Sequence, residues 1–385
     1  MTNATSTRVY NFAVGNPDPG SFPGQELAEA ALRIIPTLGD GLVTYPGPYG
    51  WTPLREIAAE RFQRNNGIPL PLDNIALTNG SMQAIGLCCS NYVQSGAGDT
   101  IVAEEYSYSG TLRAFRQFGA NVASVPVDDD GMNMDALEQT LSDLASKGIK
   151  PKFIYTIATN QNPTGTMMTE ERRHRLVALA RRFDVLILDD DCYADLLFEG
   201  AAPPSLYALH PDNVVYIGSF SKVLGPGARL GYFATRKDRL DEILGWKIDG
   251  GNSVLAAATA AEYFRTNLWA HIEDINGIVK AKLDAVEDAL DAAKDAFPYH
   301  SHPKGGLFIW VKLPDDIDVN RLLSIADSRN VKYGTGKSFQ SQNEDIKYLR
   351  IAYGYASLDD IREGVPLLAD CVREASGIPV APSLG

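Results

Sequence analysis

The sequence predicts an α/β protein with a large domain built on a mostly parallel, doubly wound sheet, and a second, smaller α+β domain. Strand-like apolar runs alternate with four helical stretches, near residues 81–95, 109–118, 133–146 and 169–183. This alternation is typical of a parallel sheet with crossover helices. The 385 residues, 45% of them hydrophobic, suffice for such a core and a second domain. One strand is expected to be antiparallel, because residues 214–218 and 229–235 are separated by only about ten residues, too few for a helical crossover.

The first element that suggests a ligand is the run of residues 74–87, which passes from a strand through Gly80 into a helix. The backbone N–H groups at the start of that helix would point at an anion, and the helix dipole favours a phosphate there. Taken alone, Ser81 is equally well explained as a helix N-cap. The segment therefore indicates a phosphate site only in combination with the later motifs of the chain.

Two further loops come after strands and carry side chains that could contact a flat ligand. Residues 106–112 contain Tyr106 and Tyr108, either of which could stack on a ring, although a loop tyrosine more often serves packing. Asn162 lies in an Asn-Pro-Thr-Gly turn after the run 152–158. Its amide is expected at the carboxyl end of a strand, where it can donate to a ring oxygen.

The next apolar run, residues 185–188, ends in Asp189, Asp190 and Asp191 and is followed by Tyr193. It is typical of a buried parallel strand, and ligands in such folds bind beyond the carboxyl ends of strands. A carboxylate there can pair with a protonated pyridine nitrogen. A solvated turn or a magnesium site remain alternative interpretations of three consecutive aspartates.

Lys222 is the most informative residue of the sequence. It lies between hydroxyl residues, in the run Ser219-Phe220-Ser221-Lys222, and Arg229 comes seven residues later. A lysine amine condenses with an aldehyde once it is deprotonated, and burial or nearby cations lower its pKa readily. The arginine and the two serine hydroxyls suit a phosphate. The pattern indicates an amine that holds a phosphorylated carbonyl compound.

Together these elements resemble the fold-type I pyridoxal 5′-phosphate (PLP) enzymes, specifically the class I and II aminotransferases of the aminoadipate and kynurenine aminotransferase branch. The resemblance covers nearly the whole chain. It implies that Lys222 forms the Schiff base, or internal aldimine, with PLP. It further implies a set of cofactor-binding residues, namely Tyr45, Ser81, Met82, Gln83, Tyr108, Asn162, Asp190, Tyr193, Ser219, Ser221 and Arg229.

Within that set, the resemblance assigns the ring nitrogen to Asp190, which the Asp-x-x-Tyr interval selects over its two neighbours. It implies that Tyr193 and Asn162 contact the phenolic oxygen of the ring. It also implies that Arg229 and the backbone of the 81–82 segment bind the phosphate, that Tyr108 stacks on the ring, and that position 83 borders the site.

Two further segments concern the substrate and the partner subunit. Gly15 lies in a stretch that looks like the family's segment closing over the amino acid. Arg350, in Tyr-Leu-Arg-Ile-Ala-Tyr, looks like the arginine that binds the α-carboxylate, a role that suits a planar, permanently charged guanidinium. Tyr45 resembles the family tyrosine that reaches the phosphate of the neighbouring subunit, which implies a homodimer with shared active sites.

The sequence departs from the family pattern at Tyr106 and Cys192, where relatives usually have proline. Transamination from an L-amino acid to a 2-oxo acid is the expected reaction. The alternative is PLP-dependent decarboxylation, β- or γ-elimination or replacement, or oxidative deamination in specialised biosynthesis. A ligand-sensing module and a magnesium-dependent phosphotransfer enzyme are further alternatives.

We expect three parts: an N-terminal segment over residues 1–40, a large PLP-binding domain over 41–285 and a small domain over 286–385. The net charge of −13 argues against nucleic acid as a partner. The four cysteines show no Cys-x-x-Cys spacing, and with no signal peptide or membrane span predicted, a cytoplasmic location is expected. No metal is assigned, since the His300-x-His302 pair has no further ligand near it in sequence.

Overall fold

The computed structural model describes residues 8–378. The strands are β1 (Tyr10–Phe12), β2 (Ile75–Thr78), β3 (Thr100–Glu104), β4 (Asn121–Val125), β5 (Val127–Asp128), β6 (Gly131–Met132), β7 (Phe153–Thr156), β8 (Leu186–Asp190), β9 (Val214–Ser219), β10 (Gly231–Ala234), β11 (Tyr299–His300), β12 (Phe308–Lys312), β13 (Val331–Thr335) and β14 (Tyr348–Ala352). The α-helices are α1 (Gly24–Ile34), α2 (Thr52–Asn66), α3 (Ser81–Tyr92), α4 (Ser109–Gln117), α5 (Met134–Ser146), α6 (Glu170–Phe183), α7 (Leu206–Leu209), α8 (Lys237–Leu244), α9 (Val254–Asp291), α10 (Val319–Ser328), α11 (Gly336–Phe339) and α12 (Leu358–Ser376). The four helices expected from the sequence correspond to α3, α4, α5 and α6 and are confirmed.

The large sheet has seven strands in the order β2-β10-β9-β8-β7-β3-β4. Strand β10 is antiparallel to both of its neighbours, which confirms the expected antiparallel strand. Strands β7 and β8 are buried along their whole length, as continuous apolar runs in a parallel sheet should be.

This topology places four segments that carry predicted site residues at one edge of the large sheet. Strands β7, β8 and β9 are mutually parallel, so their carboxyl ends meet there. Strand β2 runs in the same direction as β9, because each is antiparallel to β10. The loops carrying Asn162, Asp190 and Lys222 therefore lie beside the start of α3.

The smaller sheet has the order β1-β13-β14-β12-β11. Strand β1 pairs in parallel with β13, so the N-terminal segment is built into the sheet formed by C-terminal residues. This pairing brings the segment after β1, including Gly15, over the same edge of the large sheet. Arg350 lies on β14, opposite Trp310 of β12.

Helix α9 is 38 residues long and packs against α1, α2 and α12, so it contacts helices from both the N-terminal and the C-terminal parts of the chain. It continues without a break across residue 285, and the domain boundaries at residues 40 and 285 stay predictions. Among residues 8–378, the structure contains no helix with the length and apolar character that crossing a membrane requires.

Candidate active site

A cavity of about 350 Å³ lies at the carboxyl edge of the large sheet, beneath the segment that comes after β1. Most of the side chains expected from the sequence line it: Gly15, Ser81, Met82, Tyr108, Asn162, Asp190, Tyr193, Ser219, Ser221, Lys222, Arg229 and Arg350. The residues come from both sheets, so the cavity exists only once the N-terminal and C-terminal segments are in place.

Lys222 comes shortly after β9 and projects into the cavity. Its Nζ donates to the carbonyl oxygen of Gly15 at 2.7 Å and lies 5.6 Å from the centre of the Tyr193 ring. Burial lowers the pKa of the amine to about 8, and the nearby Arg350 guanidinium acts in the same direction. A lysine with this pKa is partly deprotonated near neutral pH, as a nucleophile or a base must be.

Asp190 lies at the end of β8 and is buried. Its Oδ2 accepts a hydrogen bond from the hydroxyl of Tyr155 at 2.7 Å. Its Oδ1 has no hydrogen-bond partner among the described residues. An unpartnered buried carboxylate oxygen is costly, so a donor bound in the cavity would satisfy it. Burial raises the pKa of the carboxyl, and the adjacent Cys192 and the bond from Tyr155 oppose that effect.

The other two aspartates of the triplet, Asp189 and Asp191, do not line the cavity with Asp190. The Oδ2 of Asp189 accepts from the backbone N–H of Leu206 at 3.0 Å, and the Oδ2 of Asp191 accepts from the hydroxyl of Tyr216 at 3.1 Å. All three aspartates are buried, which excludes the solvated turn. Because side chains alternate along a strand, Asp190 points to the side opposite Asp189 and Asp191, so the three carboxylates do not converge on one magnesium site.

Arg350 is 5% exposed and its guanidinium lies between the rings of Phe308 and Phe339, 4.4 Å from each ring centre. Its Nη1 donates to Oδ1 of Asn162 at 2.9 Å and its Nη2 to the carbonyl of Ala13 at 2.6 Å. Burial lowers its pKa to about 10, and the Nε lacks a partner among the described residues. The guanidinium is a desolvated cation aimed at the cavity, which suits a carboxylate ligand.

The opposite end of the cavity is suited to an anion. Helix α3 begins at Ser81, after Gly80 in the left-handed region with φ 81°. Arg229 also has a left-handed backbone, φ 54°, and its Nη2 donates to the carbonyl of Asn79 at 2.8 Å. A Cβ on Gly80 would lie 2.5 Å from that Nη2 and would displace the guanidinium, and the positive φ of this residue also favours glycine. The helix N-terminus and the guanidinium together offer the donors and the positive charge that suit an anion such as a phosphate.

Between these ends, the Nδ2 of Asn162 lies 3.4 Å from the hydroxyl of Tyr193, and Tyr108 forms a wall. Tyr106 instead packs against Trp310, with ring centres 5.5 Å apart. Tyr108 therefore lines the cavity, whereas Tyr106 does not.

Two expected residues are not part of this cavity. The amide of Gln83 donates to Asp249 Oδ2 at 2.5 Å, and its Oε1 accepts from the N–H of Asn79 at 2.7 Å. Gln83 therefore supports the loop before α3 and does not line the cavity. Tyr45 is 87% exposed and lies against Gly250, outside the cavity of its own chain.

The sequence did not predict Tyr155, Phe308 or Asn16 as parts of the site. Tyr155 and Phe308 occur within apolar strands, where an aromatic residue is normally interpreted as core. The one available signal was their position in strands that end at, or pair with, predicted site residues. Asn16 adjoins Gly15 and lines the cavity without a distinguishing pattern of its own.

The chain is similar over most of its length to several known proteins. The family model described as aminotransferase class I and II matches residues 7–362. The aromatic-amino-acid aminotransferase 1 of Thermococcus litoralis is 33% identical over 95% of this chain and 88% of its own length. The crystal structure of a multiple substrate aminotransferase from Thermococcus profundus has a TM-score of 0.90 at 31% identity, covering 97% of this chain and 93% of that chain.

A second solved structure concerns the cofactor. The α-aminoadipate aminotransferase LysN of Thermus thermophilus, complexed with N-(5′-phosphopyridoxyl)-L-leucine, has a TM-score of 0.88 at 30% identity. The match covers 96% of this chain and 94% of that chain.

Proposed function

The chain belongs to the class I and II aminotransferases, a PLP-dependent family that transfers the amino group of an amino acid to a 2-oxo acid, and we propose a role in that reaction for each residue of the cavity. The observation that carries these roles is the cavity itself. It combines a lysine of lowered pKa, an unpartnered buried carboxylate oxygen, a desolvated arginine and a helix N-terminus within about 350 Å³.

The donor set of the cavity fits PLP. The backbone N–H groups at the start of α3, the hydroxyls of Ser219 and Ser221 and the Arg229 guanidinium would hold the phosphate. The free Oδ1 of Asp190 would accept from a protonated ring nitrogen. The remaining residues line the middle of the cavity and would contact the ring oxygen, the ring face and the aldehyde. They are Tyr193, Asn162, Tyr108 and Lys222.

When bound, PLP supplies the aldehyde that takes up the amino group and a ring that withdraws electrons from the substrate Cα. The Nζ of Lys222 moves the proton: it accepts the proton of Cα and returns it later in the reaction. The lowered pKa of this amine keeps a useful fraction deprotonated at neutral pH. The hydrogen bond from Tyr155 favours the ionised form of Asp190, and an ionised Asp190 would retain the proton on the ring nitrogen.

Arg350 binds the α-carboxylate of the substrate. Its Nη atoms already lie at the cavity, and the stacking rings of Phe308 and Phe339 restrict the guanidinium to one plane. The carbonyls of Gly15 and Ala13 contact Lys222 and Arg350 respectively. The segment between β1 and α1 therefore covers the reacting atoms and excludes water.

Borohydride reduction of the PLP-loaded protein tests the assignment of Lys222. Peptide mapping should find the reduced pyridoxyl group on Lys222 in the wild-type protein, and Lys222→Ala should carry none. Lys280→Ala, which removes a surface lysine paired with Asp284, is the control and should label like the wild type. A label on another lysine in the wild-type protein would refute the assignment.

The reaction type is tested separately, in the absence of a second substrate. One equivalent of 2-oxo acid should appear per active site when an amino acid is added, without ammonia or carbon dioxide. Release of ammonia or carbon dioxide at the same rate as substrate loss would replace transamination with deamination or decarboxylation.

We further propose that the preferred amino acids have uncharged, bulky side chains. Among the described residues that line the cavity, the cations are Lys222, Arg229 and Arg350, which hold the aldehyde, the phosphate and the α-carboxylate. None of them is left to pair with an acidic side chain. A second, apolar cavity of about 730 Å³ shares Asn16 and Pro226 with the first and offers space for an apolar side chain.

A substrate panel tests this preference. Phenylalanine and leucine should give a higher kcat/KM than glutamate and aminoadipate. Ala256→Leu, which narrows the second cavity, should lower kcat/KM for phenylalanine at least several-fold relative to alanine. Equal activity on acidic and apolar substrates would refute the proposal, and the aminotransferase reaction itself would be unaffected.

A homodimer is the expected assembly. Tyr45 is 87% exposed and Ile248 is 94% exposed, and a Cβ on Gly250 would lie 2.7 Å from the Tyr45 ring, so the two loops form one surface. Leu42, Val43 and Leu255 extend this apolar surface. A two-fold dimer would bury the same patch on both subunits, and Tyr45 could then reach the partner's phosphate site.

Sedimentation and complementation test the dimer. Ile248→Asp should produce monomers, whereas Leu323→Asp, at a partly exposed leucine of α10, should not. Tyr45→Ala and Lys222→Ala should each be impaired, and mixing them under conditions of subunit exchange should restore activity. A monomeric wild type, or no restoration despite exchange, would refute shared sites.

A further inference from the structure

Outside the PLP cavity, the end of α9 approaches the strand β11 and the residues after it. Glu287, His300 and His302 each offer one ligand atom there, and these atoms lie within 4.8 Å of one another. The sequence alone offered only the two histidines. The long helix supplies the carboxylate, which is 15 positions from His302 in the chain.

The two elements present their side chains with matching periodicity. Glu287 and Asp291 are four residues apart on α9, so they lie on one face of the helix. His300 and His302 are two residues apart in extended chain, so both rings point to the same side. The ring centres are 4.6 Å apart. The Nδ1 of His302 lies 3.1 Å from Oε1 of Glu287.

The hydrogen bonding of His300 resembles that of a metal ligand. Its Nδ1 lies 3.1 Å from the carbonyl oxygen of Ser301, to which a neutral ring donates. That bond leaves a lone pair on Nε2, and Nε2 lies 3.5 Å from Oδ1 of Asp291, too far for a strong hydrogen bond. Metal-binding histidines typically donate their second nitrogen to a carbonyl or carboxylate in this way. Lys294, 3.2 Å from the same Asp291 oxygen, is the competing cation.

We propose that Glu287, His300 and His302 form a binding site for a divalent first-row transition metal ion, with Zn²⁺ as the probe. Two imidazoles and one carboxylate are a common ligand set for such ions. The His300 side chain is 5% exposed and that of His302 is 71% exposed, so the site opens to solvent and leaves a position for water. A bound ion would tie the last turns of α9 to the C-terminal sheet.

The test uses the PLP-loaded protein after treatment with a chelator and its removal by desalting. Zn²⁺ is titrated calorimetrically in a buffer that does not coordinate metals, and metal retained after a second desalting is measured by mass spectrometry. The variants are His302→Ala and Glu287→Gln, because both residues are accessible and their loss should not prevent folding. His174→Ala, at an exposed histidine beside Glu170 on α6, is the matched control.

We expect the wild type and His174→Ala to retain about one equivalent of Zn²⁺ per chain, and His302→Ala and Glu287→Gln to bind at least tenfold more weakly. The melting temperature of the wild type should rise with Zn²⁺, and the rise should be lost in the two site variants. Retention of no metal by the wild type would overturn the proposal, as would equal affinity in all four proteins. Transamination is independent of either result, since none of the three ligands lines the PLP cavity.

Discussion

Tyr155 allows a specific prediction, because its hydroxyl donates a hydrogen bond to the carboxylate of Asp190 in the cavity. The residue is fully buried and its hydroxyl donates to Oδ2 of Asp190 at 2.7 Å. Tyr155→Phe removes only that hydroxyl and keeps the ring that packs edge-on against Phe115. The substitution therefore removes the hydrogen bond to Asp190 together with the contact of the same hydroxyl with Oγ1 of Thr111 at 3.2 Å.

The size of the effect depends on the charge of the acceptor. A hydrogen bond to a charged group contributes about 1.5–3 kcal/mol. Because this bond favours the ionised carboxylate, its loss should raise the pKa of Asp190. A less readily ionised Asp190 holds the ring nitrogen proton less well. The PLP affinity and kcat/KM should each fall by about tenfold or more, and the acid limb of the pH profile should move to higher pH.

Tyr216→Phe is the matched control, because the hydroxyl of Tyr216 donates to Asp191 at 3.1 Å in an equally buried position outside the cavity. Both variants should lose about 1–3 kcal/mol of unfolding free energy, measured by urea titration. Only Tyr155→Phe should weaken PLP binding, measured by fluorescence titration, and shift the acid limb. Identical PLP affinity and pH profiles in the two variants would refute the reasoning.

Three further predictions concern other parts of the cavity. The rate of covalent PLP uptake by the PLP-free protein should rise with pH and level off above about 8, because burial lowers the pKa of Lys222 to about 8 and only the free amine reacts. A rate that still rises near pH 10, where an ordinary lysine titrates, would contradict this prediction. Arg350→Gln should lower kcat/KM for amino acids by about a hundredfold, roughly the loss of one or two charge-assisted hydrogen bonds, with PLP affinity unchanged in the same titration; an equal loss of PLP binding would show that the residue serves the fold. Gly80→Ala should weaken PLP binding at least tenfold, because the new Cβ would clash with Arg229 at a position of positive φ. Gly86→Ala is the control and should bind PLP like the wild type, because no atom lies within 4 Å of the Cβ that it adds.

Much of the large domain was predictable, because its signals are local. The strand-then-helix alternation and the continuous apolar run before Asp190 require only neighbouring residues to be interpreted correctly. The short interval between two strand-like runs likewise predicted the antiparallel β10. The order of the ligand-bearing loops then placed Asn162, Asp190 and Lys222 at one edge, since parallel strands share a carboxyl end.

The neighbours of those side chains were not predictable in the same way. Gln83 was expected at the ligand, but Asp249, from a distant loop, binds its amide. Tyr155 and Phe308 had the local pattern of core residues. Whether a buried aromatic supports a ligand depends on which strands are adjacent, and adjacency is set by pairing across the whole chain.

The sequence by itself thus determined the fold class, the family and most of the side chains that line the cavity, because those depend on residue type and on short spacings. Only the tertiary structure decided their environment. It freed one oxygen of Asp190 and bound the other, desolvated Lys222 and Arg350, and brought Glu287 to the histidines after α9. These properties arise from burial and from contacts between residues far apart in the chain, and local sequence carries no record of either.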